Sequence, residues 1–78
     1  MTYATQMRMN VREASQAFTI ADDLWFLELE CRFGRDAAQA RYEPRGRGSF
    51  GDKLGDLFLA FDKARRAYEA ARDARDAS

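Results

Sequence analysis

Residues 20–33 carry more apolar side chains than one face of a helix can hold, and that excess limits what the chain can become. At about 100° per residue, Phe18, Ala21, Trp25, Leu29 and Phe33 fall along one stripe, and Ile20, Leu24, Leu27 and Cys31 along a second. A helix apolar on two faces has to be covered on two sides. The chain has 78 residues, and a core of that size rarely supplies more than ~3–5 kcal/mol. A second copy of the chain, giving a dimer, or a different partner is therefore expected to shelter part of this segment. Residues 27–33 also alternate like a half-buried strand. The capped start upstream and the Ala-rich continuation over 36–42 favour helix.

Local signals set the other boundaries. Asn10 with Glu13 three residues on has the spacing of an N-cap with a carboxylate reaching back. Thr19 with Asp22 and Asp23 repeats it, so the first helix starts at either site, or two helices meet near Thr19. Gly34 marks a bend or break. In residues 1–10, Tyr3, Met7, Met9 and then Val11 alternate at the strand period, but a lone strand has nothing to pair with. That segment reads as an arm, flexible or docked on a partner, and extended if ordered. Pro44 with Gly46, Gly48 and Gly51 makes 43–51 a flexible loop. Asp52 can cap a last helix whose Leu54, Leu57, Phe58, Phe61, Ala64, Tyr68 and Ala71 form one stripe. Asp62 with Arg66, Arg65 with Glu69 and Arg72 with Asp76 stand four apart on its outer face, and the tail beyond Arg72 is expected to fray.

The expected fold is all-α: one domain over 1–78, a small helical hairpin or three-helix bundle. Its parts are an arm at 1–10, helices over about 11–42, an Arg/Gly loop at 43–51 and a C-terminal helix over about 52–74.

Charge and composition exclude several functions. Thirteen basic and 13 acidic residues balance to zero, whereas a general binder of nucleic acid or membrane surface needs positive charge to hold phosphates. The longest strictly apolar run, residues 24–27, is far short of the ~20 residues of a membrane span. The polar, mixed residues 1–10 do not read as a secretory leader, and Cys31 is the sole cysteine. The chain is thus expected in a reducing cytoplasm. An Arg- and Ala-rich, Lys-poor composition most simply reflects a GC-rich genome.

Without histidine, neither Cys31 nor Ser15, Ser49 or Ser78 has a base to activate it. Cys31, on an apolar stripe, is expected in the core as a small hydrophobe. Asp22 with Asp23 and Glu28 with Glu30 splay apart on a helix and read as solvated charge. One thiol cannot build a zinc site. No catalytic, metal or cofactor site is therefore expected. Residues 46–51 match G-x-G-x-x-G, but a helix and a proline precede them where dinucleotide binding needs a strand.

The partner-binding candidates are Arg41, Arg45 and Arg47 with Tyr42 and Phe50 interleaved. They suit phosphates and bases or a carboxylate-rich protein surface. Alternatively, Arg41 and Arg45 pair internally with Glu28, Glu43 or Asp52. Trp25 and Phe26 join the candidates, since aromatic residues and Arg dominate interface hot spots, although Trp25, Phe26 and Phe33 are mostly core material.

Trp25, Phe33-Gly34, Asp36-Ala37, Ala40-Arg41-Tyr42 and Arg45-Gly46-Arg47-Gly48 together carry a resemblance. The chain is similar over its last two thirds to short helical proteins of phages and prophages of GC-rich bacteria, which carry FG-x-x-A-x-x-ARY-x-x-RG before an Ala-rich helix. By size and character it also resembles anti-CRISPR inhibitors, a likeness of class rather than of motif. The phage resemblance implies context rather than chemistry; in that context a small helical protein without catalytic residues is expected to act as a stoichiometric inhibitor docked on a host complex, such as a CRISPR effector. Read from the residues alone, the alternative is a small nucleic-acid-binding regulator using the 41–47 loop.

Overall fold

In a computed structural model of the chain, which describes residues 10–77, two long helices form a hairpin. The expected arm lies outside the described residues save for Asn10. Helix α1 spans Val11–Phe33. The Asn10 side chain accepts from the Glu13 N–H at 2.8 Å, and the Glu13 carboxylate accepts the Asn10 N–H at 3.4 Å. The capping box read from the spacing is thus formed. Of the alternatives left open, the helix starts at the Asn10 cap and runs through Thr19 without a break. A cap ends a helix only where the preceding backbone leaves it, and α1 contains neither glycine nor proline. Residues 27–33 are helix, not strand.

Gly34, at φ 57°, closes α1 by sending its N–H to the Glu30 carbonyl. A 3-10 turn at Gly34–Asp36 follows, then the single turn α2 at Ala37–Ala40 and a second 3-10 turn at Pro44–Arg47. Helix α3 runs over Lys53–Ala77. It extends to Ala77, past the end expected at about residue 74, and Ala and Arg, which fill its last turns, are strong helix formers. Asp62 with Arg66 and Arg65 with Glu69 pair as spaced. Arg72 instead lies over the Tyr68 ring, and Asp76 is met by Arg75.

The apolar stripe of α3 packs on the Trp25 face of α1. The order of contacts reverses along the two helices: Phe18 meets Phe61 and Tyr68, Trp25 meets Phe58 and Phe61, and Arg32 meets Asp52. Trp25, Leu29, Ala37, Ala40 and Leu54 are buried together, with Phe26, Phe33, Leu57, Phe58 and Phe61 packed around them. Aromatic pairs at these separations, 4.6 Å for Trp25 and Phe61, add about 0.5–1.5 kcal/mol each beyond burial. At the loop end, Arg32 grips both oxygens of Asp52, at 2.8 and 3.0 Å. Asp52 directly precedes α3, where a carboxylate suits the helix N-terminus.

The 43–51 segment is not the flexible spacer that its glycines suggest. Gly46 is buried, and a Cβ built there would overlap the Ala40 carbonyl. A Cβ on Gly55 would overlap the Ser49 carbonyl, so the loop lies directly on the first turn of α3. These glycines serve close backbone approach.

Candidate functional site

Helical periodicity leaves two stripes on α1, and α3 can cover one. α3 and the α2 connection both lie against Trp25 and Leu29, so the Ile20, Leu24, Leu27 and Cys31 stripe points away from them. Ile20 is 60% exposed, Leu24 50% and Leu27 58%. Cys31 is exposed too, which corrects the expectation of a core thiol. Four apolar residues at spacings of four, three and four thus form a continuous bare strip.

The second region is built where the connection returns to α3. Pro44 starts the 3-10 turn that carries the Gly46 carbonyl to the Trp25 indole, whose Nε1 donates to it at 2.9 Å. Arg41, just after α2, lies 5.1 Å from the centre of the Trp25 ring and within 6 Å of Phe26, Tyr42 and Phe61. It also pairs with Asp22 of α1. Arg47 lies 5.9 Å from the Phe58 ring centre. Together Trp25, Arg41, Tyr42, Arg47, Phe58 and Arg65 surround a cleft of about 290 Å³, at the lower limit of small-molecule sites, which run from ~300 Å³ upward.

The cleft lining carries three arginines, Arg41, Arg47 and Arg65, against one carboxylate, Asp62. Arg65 bonds Asp62 at 2.7 Å, and that bond holds the Asp62 carboxyl below the usual carboxylate range and raises Arg65. Arg47 makes no direct ion pair among the described residues. It is near enough to Asp62 to lower that carboxyl further.

The structure divides the candidate residues. Trp25 is 2% exposed and cannot touch a partner; it is the floor of the site rather than a contact. Phe26 is half-buried against the core. Arg41 and Arg45 are occupied internally, Arg41 by Asp22 and Arg45 by Glu43 and the Phe33 ring at 5.1 Å. Tyr42, Arg47 and Phe50 face outward, with Tyr42 82% and Phe50 99% exposed. Beside Phe50, a shallow groove of about 200 Å³ runs past Gly48 and Gly55 to the exposed Leu59. Leu59 was missed because it lies off the α3 stripe; the second α1 stripe was legible as surplus apolar surface, but periodicity does not say which of the two stripes is covered.

Among the described residues, no three His, Cys, Asp or Glu side chains gather as a metal site requires. No described helix is long and apolar enough to cross a membrane. No protein-family model matches the chain, and no curated protein and no solved structure matches it.

Proposed function

We propose that this chain acts by stoichiometric binding to another protein, as a phage or mobile-element inhibitor or adaptor of a host complex, in the manner of anti-CRISPR proteins. One observation carries the reading. Ile20, Leu24, Leu27, Tyr42, Phe50 and Leu59 are all at least half exposed on a single small domain. They lie in two regions, the outer strip of α1 and the connection with its neighbour Leu59; exposed apolar side chains gathered this way mark interaction surfaces, and Tyr and Arg supply much of the energy at such interfaces. The phage context rests on the sequence resemblance.

The test is affinity capture of the tagged full chain from its native host, with nuclease treatment and mass spectrometry. A nuclease-resistant complex of defined stoichiometry, weakened by Tyr42→Ala with Phe50→Ala, is expected. Recovery of the chain alone under all conditions would end the proposal.

A regulator that binds nucleic acid is the second reading, favoured by Arg47, which has no direct ion pair among the described residues and lies between the open rings of Tyr42 and Phe50 in sequence. It requires DNA or RNA binding that falls steeply with salt and is lost in Arg45→Ala with Arg47→Ala.

A further inference from the structure

Resting on that protein-binding reading, we infer that the Ile20, Leu24, Leu27 and Cys31 stripe docks an amphipathic helix of a different protein, one whose apolar seam is flanked by Lys and Arg. Spacings of four, three and four are those of a heptad seam, the pattern that lets one helix lie along another. The partner's charge is indicated by the margins of the stripe. Asp23 and Glu30 stand along one edge, both exposed and without an ion pair among the described residues. On the other edge, Glu28 is held by Arg32 at 2.9 Å and Lys53 at 3.5 Å.

A second copy of the chain fits this edge poorly. Antiparallel pairing that sets Leu24 against Leu27 of the copy brings Asp23 opposite the copy's Glu30, twice by symmetry. Parallel pairing brings Asp23 opposite the copy's Glu28. Antiparallel pairing thus sets carboxylate against carboxylate, and parallel pairing sets Asp23 against a Glu28 already neutralised by Arg32 and Lys53, where heptad helices use opposite charges to choose partners. A helix with Lys or Arg at those places turns both contacts favourable. The seam from Ile20 to Cys31 rises only about 17 Å. A specific interface buries about 800 Å² per side, so the occupant has to reach the acidic margin as well as the apolar strip.

Two synthetic helical peptides of about 20 residues test this, with one Leu seam in common and either Lys/Arg or Glu at the flanking positions. Binding to the full chain is read by fluorescence anisotropy. The basic peptide is expected to bind at least about tenfold more tightly than the acidic one at low salt. Asp23→Lys with Glu30→Lys reverses that order, and Leu24→Asp with Leu27→Asp abolishes both, with far-UV circular dichroism unchanged because all four positions are exposed.

Equal affinities, or no binding of either peptide, would overturn the proposal. So would a dimer in sedimentation that Leu24→Asp dissolves, since the occupant would then be a second copy. A Cys31 thiol shielded from a water-soluble reagent in the free monomer would overturn it too, by showing the strip already covered. If the peptides fail while the captured host complex is still weakened by Phe50→Ala, this docking site falls and the protein-binding function stands.

Discussion

The Trp25 indole donates to the Gly46 carbonyl across the core, joining the middle of α1 to the turn that leads into α3. A buried acceptor left without its donor costs about 1–3 kcal/mol. Trp25→Phe keeps the aromatic contacts with Phe58 and Phe61 in kind but removes that donor. Urea unfolding is expected to show a loss in that range, accompanied by increased mobility of residues 44–47 in hydrogen exchange.

Gly55 offers a prediction whose sign is opposite to helix propensity. On an open helical surface, alanine would be favoured over glycine by about 0.8–1 kcal/mol. Here an added methyl group meets the Ser49 carbonyl, and overpacking of this kind costs about 1–3 kcal/mol. Thermal melting of Gly55→Ala is expected below that of the parent. A rise would mean that the loop does not lie on the first turn of α3.

Acid should loosen the hairpin at its loop end. Arg32 holds the carboxyls of Asp52 and Glu28 below their ordinary range, and Arg65 does the same for Asp62. Their folded values lie under the unfolded ones, so this stabilisation is complete above the ordinary carboxylate range, about 3.9–4.3. It is lost as pH falls through the lower, folded values. Melting temperature measured against pH should drop across that window, and less steeply in Arg32→Ala.

Two neighbouring arginines should behave differently. Arg41→Ala loses the pair with Asp22 and the stack over Trp25, a loss of about 1–2 kcal/mol in total. Arg47→Ala breaks no ion pair to a described residue and loses only the contact with the Phe58 ring at 5.9 Å, so its stability should fall by less than about 1 kcal/mol. A denaturation series on the two variants separates a structural arginine from one available to a partner.

The exposed thiol gives the simplest check on the bare face of α1. Cys31 in the native chain is expected to react completely with a disulfide reagent, without denaturant and at a rate close to that of the unfolded chain. Slow, denaturant-dependent labelling would place the thiol under cover.

Much of the architecture was legible from local chemistry. The Asn10 and Glu13 cap, the end of α1 at Gly34 and the stripe along α3 each depend on side chains within a few residues of one another, so spacing alone identifies them. Thr19 shows the limit of that method, because a capping side chain is idle wherever the helix simply continues through it. The choice between the two stripes of α1 belonged to tertiary structure, since both satisfy the helical period equally. Packing chose the stripe with Trp25, Phe18 and Leu29, whose larger side chains meet the α3 rings and whose indole finds an acceptor at Gly46. That choice turned Trp25 from a candidate contact into the floor of a cleft, and left Leu24, Leu27 and Cys31 facing outward. The loop glycines followed the same rule: sequence announces a turn, but only the approach of Ala40 and Ser49 reveals that a side chain there has no room.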